Sequence, residues 1–232
     1  MPTYDRSFSS GVVEIDRFAE GVGWLAHPHE GGKRASHAVR TDDGIWLLDP
    51  LWGPGVEDLV GSLEDGVVGV AVCSCWHARD ADRFARAYDV PVYAPSWMSR
   101  LESRVDAPLE RYRGNLEGIA VDRCEPFPGW SEAICYFEFH DTLYVPDTLG
   151  TVEAFTVGDE RIGLELARRL DPPRRLRTYE PDRVLVGHGE GVLEDATRAL
   201  EYALAGGRRR LPRAVLENGP ATVRSVVGAL GG

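Results

Sequence analysis

The sequence predicts one α/β domain built as a four-layer αββα sandwich, two mixed sheets packed face to face with helices outside. Three observations lead there. Short strands separated by turns open the chain, strand–helix–strand spacing follows, and the second half repeats the plan of the first. A length of 232 residues allows one large domain, or one domain with an appendage.

Residues 12–15 and 23–26 are strand-like, and Gly31-Gly32 marks a loop. Residues 36–41 lead into Asp42-Asp43-Gly44, a strong hairpin signal, and Ile45-Trp46-Leu47-Leu48 is the return strand. This is an antiparallel meander whose last strand is apolar enough to be buried on both faces. The period then changes. Residues 56–63 fit an amphipathic helix, 67–73 a central strand, 80–88 a helix with Asp80 or Asp82 as cap, and 90–94 a strand closed by Pro95. In the second half, 119–122, 133–139 and 142–145 read as strands, with His140-Asp141 as a solvated hairpin turn. Residues 159–170 read as a helix stopped by Pro172-Pro173, 183–186 as a buried strand, and 192–205 as a helix ended by Gly206-Gly207. Beyond an Arg208-Arg209-Arg210 run, 221–230 fit a short helix with a sparse apolar face. The expected division is a domain over 1–207 and a packed helical appendage over 208–232.

Charge narrows the partners. With 37 acidic against 26 basic residues, the net charge of −11 disfavours non-specific nucleic-acid binding. No apolar run reaches the roughly 20 residues that span a bilayer, and residues 1–10 lack the apolar segment of a secretory signal. A cytoplasmic protein is expected, with a small-molecule partner, no membrane, and a homo-oligomer left open. Lys33 is the only lysine, a bias that suits a halophile or a GC-rich genome equally. Cys73, Cys75, Cys124 and Cys135 form no Cys-x-x-Cys pair, so a zinc ribbon is excluded and free thiols or ligands are expected.

Four places follow strands, where α/β proteins put their ligands. The run Val72-Cys73-Ser74-Cys75-Trp76-His77-Ala78-Arg79-Asp80 leaves a buried strand and places Cys75 and His77 on one face of an extended segment, with Asp80 at a helix start. Asp147 ends the strand Leu143-Tyr144-Val145; it is a turn cap or a carboxylate ligand. In Val184-Leu185-Val186-Gly187-His188-Gly189, two glycines free the backbone around a histidine at a strand end. Asp49, in Leu47-Leu48-Asp49-Pro50, is either a turn residue or a group that orients a ligand histidine.

The order of these features resembles the metallo-β-lactamase superfamily over roughly residues 20 to 205. That family carries His-x-His-x-Asp-His, a lone His, a bridging Asp and a last His. Asp147 matches the bridging Asp and His188 the last His. The lone His follows Pro-Gly in the family, and here Pro128-Gly129 is followed by Trp130. In the main motif Cys75 stands at the first His, His77 at the second, Arg79 at the Asp and Asp80 at the last His.

The resemblance implies catalytic roles for His77, Asp147 and His188, and a ligand set of Cys75, His77, Asp80, Asp147 and His188. Asp49, Trp76, Arg79 and Trp130 would line the pocket. A conventional site activates water on two zincs; with these replacements, no metal or one divalent ion, zinc first, is expected. Arg79 would oppose a dication or replace it as an anion-binding group. Two functions follow. One is a degenerate fold relative that binds a small anionic ligand or a partner in the cleft. The other is a single-metal hydrolase of a small ester, thioester or lactone. Whether the chain is an enzyme stays open.

Overall fold

The computed structural model describes residues 2–230, with side chains to Gly219. Four strands open the chain: β1 (Val13–Phe18), β2 (Gly21–Leu25), β3 (Ala35–Thr41) and β4 (Gly44–Leu48). All three pairings are antiparallel, so the expected meander is present. The hairpin turn works because Gly44 adopts φ +133°, and a Cβ there would lie 2.6 Å from the Gly66 carbonyl oxygen.

The period change is equally visible. Helix α1 (Val56–Gly61) leads to β5 (Val67–Ala71), and α2 (Ala81–Tyr88) leads to β6 (Val92–Pro95). A further strand, β7 (Leu109–Tyr112), completes a seven-stranded sheet in sequential order. From β4 outward the pairings are parallel. A second sheet holds β8 (Ala120–Phe127), β9 (Trp130–Phe137), β10 (Thr142–Val145) and β13 (Arg183–Val186), in the order β13-β10-β9-β8. There β10 and β13 are parallel. A small ladder pairs β11 (Leu149–Gly150) with β12 (Gly163–Leu164).

Strand alternation sorts the second sheet's side chains. Tyr144 and Leu185 join Ala133, Cys135 and Phe137 in one core with Val39, Trp46 and Leu48 of the first sheet. Their neighbours Leu143, Val145, Val184 and Val186 face the other way, under Ala199, Leu200, Ala203 and Leu204 of α3 (Ala196–Leu230). On the outside of the first sheet lie Ala81, Phe84 and Ala85 of α2. The αββα sandwich is thus present.

Three expectations are corrected. Residues 159–170 are no α-helix; they form β12 and a 3₁₀ turn (Ala167–Arg169). Tertiary contacts override helix propensity here. Glu160 turns inward to accept the Val157 N–H and to pair with Arg169 at 2.6 Å, both side chains fully buried. Gly163 approaches the Phe155 carbonyl so closely that a Cβ would meet it at 2.1 Å. Second, Gly206-Gly207 do not end the last helix. It starts at Ala196 and runs unbroken to Leu230, across the 207–208 boundary. A glycine ends a helix by turning left-handed, and neither residue does so. Gly207 instead lets Pro172 and Leu164 pack close, at 3.0 and 2.9 Å from where a Cβ would stand. The apolar face expected over 221–230 lies outside the described side chains. Third, His140 is buried, its ring nitrogens 2.8 Å from Thr142 Oγ1 and 3.1 Å from the Arg40 carbonyl.

No helix among the described residues is long and apolar enough to cross a membrane. All four cysteines are free and buried.

Candidate metal centre

The features singled out in the sequence gather at one end of the sandwich. Asp49 follows β4, residues 74–80 follow β5, Asp147 follows β10 and His188 follows β13. Because β4–β5 and β10–β13 are parallel pairs, their C-terminal ends share an edge, the usual place for a ligand in such sheets.

Three of these side chains converge. One donor atom each from His77, Asp147 and His188 lies within 4.8 Å of the others. The Nε2 of His77 is 3.1 Å from Asp147 Oδ1, and that of His188 is 3.4 Å from the same oxygen. The opposite ring nitrogens are held from behind. His188 Nδ1 lies 2.8 Å from the Gly32 carbonyl, which can only accept, so that nitrogen carries the proton. His77 Nδ1 is 2.9 Å from Asp49 Oδ2. Asp49 also accepts from the Tyr144 hydroxyl at 2.6 Å and the Cys73 N–H at 2.7 Å, so its carboxylate is fixed by three donors. Both rings therefore turn Nε2 toward one point, as metal-binding histidines oriented by a second partner do.

Asp147 is fixed as firmly. Its Oδ2 accepts from Ser74 Oγ at 2.5 Å, and its backbone N–H donates to Glu132 Oε2 at 2.9 Å. Glu132 is fully buried and also accepts from the Thr148 N–H and hydroxyl. Burial and the Asp147 charge push the Glu132 carboxyl above its ordinary range. Against the pull of burial, the two histidines hold the Asp147 carboxyl well below its usual value. Burial and the Arg79 cation oppose protonation of His77, yet the Asp147 and Asp49 carboxylates outweigh them and raise its pKa.

Arg79 enters this space from a left-handed backbone, φ +41°, and Asp49 sits at φ +45°. Such conformations are uncommon away from glycine and cluster at functional sites. The Arg79 guanidinium binds the carbonyls of Ala35 (2.5 Å), Asp49 (2.7 Å) and Gly187 (3.3 Å), and its Nη2 is 3.3 Å from His77 Nε2. It clamps β3, β4 and the turn after β13 while holding a fixed positive charge beside the histidine.

The other expected ligands are not in the cluster. Cys75 Sγ accepts from the Ser131 N–H at 3.3 Å and faces the Gly129 carbonyl at 3.5 Å. Asp80, at the start of α2, accepts the Trp52 N–H at 2.8 Å. Trp76 lies under the Arg100 guanidinium, 3.9 Å from its ring centre, and Trp130 packs against Phe127 at 6.0 Å.

Residues not anticipated from the sequence complete the surroundings. Phe155 stacks on His188 at 5.7 Å, and Tyr4 lies 6.3 Å from the same ring. The N-terminal segment crosses here because Gly31 and Gly32 donate to the carbonyls of Pro2 (2.9 Å) and Thr3 (2.8 Å). Glu30 holds it too, accepting from the Asp5 N–H at 2.7 Å while paired with Arg34 at 2.7 Å. A Cβ on Gly32 would meet Tyr4 Cε1 at 2.6 Å, so this crossing needs glycine there.

Solved structures share the arrangement of strands. A metallo-β-lactamase from Pontibacter korlensis is 16% identical, with 84% of this chain and 99% of that one covered and a TM-score of 0.59. The metallo-β-lactamase FIM-1 from Pseudomonas aeruginosa, solved in a mono-zinc form, is 11% identical, with 89% and 99% covered and a TM-score of 0.57. One from Hirschia baltica is 10% identical, with 84% and 98% covered and a TM-score of 0.53. No family profile and no curated protein sequence matches the chain. The chain has the metallo-β-lactamase fold.

Proposed function

We propose that the cleft is a degenerate metallo-β-lactamase site that takes one divalent metal ion, zinc first, and serves as a reduced hydrolase site for a small ester, thioester or lactone. One observation carries this. Two imidazoles with bonded Nδ1 atoms aim Nε2 at one carboxylate oxygen, at 3.1 and 3.4 Å. Two lone pairs facing a carboxylate repel unless a cation or protons lie between them. A nitrogen–nitrogen–oxygen set of this kind is ordinary for zinc.

The residues fit one ion and not two. Cys75 and Asp80 are committed to backbone groups, and Arg79 stands where a second cation would need a carboxylate. His77, Asp147 and His188 would hold the ion, which when bound supplies an acidified water and polarises a carbonyl. Asp49 and the Gly32 carbonyl keep the two rings in the tautomer that leaves Nε2 free. Ser74 and Glu132 keep Asp147 in place. Tyr4 and Phe155 restrict water on the His188 side.

A metal-free cleft is the second reading, favoured by the 3.3 Å contact between Arg79 Nη2 and His77 Nε2. Here the guanidinium donates to the unprotonated Nε2 of His77 and supplies the positive charge, and the cleft binds a small anionic ligand without catalysis. Cobalt titration followed by d–d absorption separates the two readings. The single-metal reading expects one equivalent, lost in His188→Ala and in Asp147→Asn. Two equivalents, or none at millimolar cobalt, would defeat it. Hydrolysis of a panel of esters, thioesters and lactones by the cobalt-loaded protein then tests the activity.

A further inference from the structure

A basic cavity of this acidic protein lies away from the cleft. It has a volume of about 380 Å³ and is lined by Asp171, Pro172, Arg174, Arg177, Leu204 and Arg208 among others. None of these residues belongs to the cluster around Asp147. The cavity forms where the 3₁₀ turn Arg174–Thr178 meets α3, held by the packing of Pro172 beside Gly207.

Three arginines face one aspartate here, in a chain of net charge −11. Arg174 makes no hydrogen bond or ion pair among the described residues. Arg177 spends Nη2 on the Leu204 carbonyl at 3.1 Å, and Arg208 spends Nε on the Leu170 carbonyl at 2.7 Å. The contact of Arg208 with Asp171 is long, 3.6 Å, and both side chains are largely exposed. A guanidinium carries five N–H donors, so each anchored arginine keeps most of its donors while the anchor limits its motion. Immobilising fewer side-chain rotors on binding favours affinity. Such a fork suits phosphate oxygens. The volume falls in the range of small-molecule sites and exceeds what one phosphate group needs.

We propose that this cavity binds a small molecule carrying a di- or triphosphate group, with Arg174, Arg177 and Arg208 as its anion contacts. It is a site separate from the cleft and independent of any metal there. A free inorganic diphosphate and a nucleoside diphosphate present the same chemistry, and titration distinguishes them.

The test is calorimetric titration of the full chain with pyrophosphate, ADP and orthophosphate at low and at physiological salt. Pyrophosphate or ADP is expected to bind below about 1 mM, more tightly than orthophosphate, and to weaken as salt screens the arginines. ADP stronger than pyrophosphate assigns part of the site to the nucleoside; equal binding assigns it to the phosphates. The double variant Arg174→Gln/Arg208→Gln, checked for an unchanged melting temperature, should weaken binding at least 10-fold. Asp147→Asn should leave binding unchanged. No binding of either diphosphate at 1 mM overturns the proposal, as does equal binding by the arginine variant. Tighter binding to an oligonucleotide or an anionic phospholipid vesicle than to ADP overturns it too. Should the double variant melt lower, Arg174→Gln alone decides, since Arg174 has no partner to lose.

Discussion

Replacing Arg79 by Gln should strengthen metal binding in the cleft. The guanidinium Nη2 lies 3.3 Å from the nitrogen of His77 that would take the ion. A zinc–nitrogen bond is about 2 Å, so a bound dication would sit within about 5 Å of the guanidinium. The repulsion of charges +2 and +1 at that distance is roughly 7 kcal/mol for an effective dielectric near 20. Arg79 is only partly buried, so solvent screening reduces this to about 3 kcal/mol, or about 100-fold in affinity. Glutamine removes the charge and keeps an amide donor for one of the three carbonyls. Competition with a chromophoric chelator measures zinc affinity in both proteins. The variant should bind at least about 30-fold more tightly. Equal affinity within threefold would refute the idea that Arg79 opposes the ion, provided both proteins melt alike. Arg79→Asp, which replaces the cation by a carboxylate, should raise affinity further.

Other outcomes follow from the same geometry. Buried Asp16, which accepts the Gly191 N–H, has its pKa raised to about 6 chiefly by burial; buried His37 has its pKa lowered to about 4 by burial. The Asp16 contribution is fully present below pH ~3.8 and lost as pH rises through about 6, whereas that of His37 is fully present above pH ~6.5 and lost as pH falls toward about 4. These slopes oppose, so Asp16→Asn should uncover a stability that rises by about 3 kcal/mol between pH ~4 and ~6.5. Urea denaturation across that range reads it, and an unchanged flat profile would count against the assignment. Asp49→Ala leaves a buried imidazole, a hydroxyl and an N–H without their acceptor; a loss of about 3 kcal/mol, or roughly 6–12 °C in melting temperature, is expected. Gly207→Val would drive a side chain into Pro172 and Leu164. It should cost about 1–3 kcal/mol by calorimetry, and an unchanged melting temperature would count against this close packing.

Much of this fold could be read from local chemistry. Asp42-Asp43-Gly44 specifies a turn by itself, and the apolar run from Val67 needs a two-sided core whatever lies around it. The same holds for Asp147 and His188, each at the end of a buried strand. Where reading failed, the deciding partner lay far along the chain. Residues 159–170 have helical composition, but the buried pair Glu160–Arg169 and its neighbour Arg210 hold them otherwise. Gly206-Gly207 looked like punctuation because the segment carrying Pro172 was not in view. In the cleft, Gly32 contributes only a carbonyl, which no side-chain pattern advertises, and Tyr4 arrives through backbone pairing. Glu132 did leave a signal, an acid just ahead of the apolar run Ala133-Ile134-Cys135. Arg79 was legible as a replacement, but its clamp on three carbonyls was not.

The crossing of the N-terminal segment has a practical side. Pro2 and Thr3 are paired to Gly31 and Gly32 within reach of the His188 ring. A tag joined at this end would therefore attach close to the residues beside His188. A histidine-rich tag there would offer imidazoles to the very ion whose stoichiometry is being counted. Metal titrations and hydrolysis assays should use protein tagged at the other end, or freed of its tag before the first measurement.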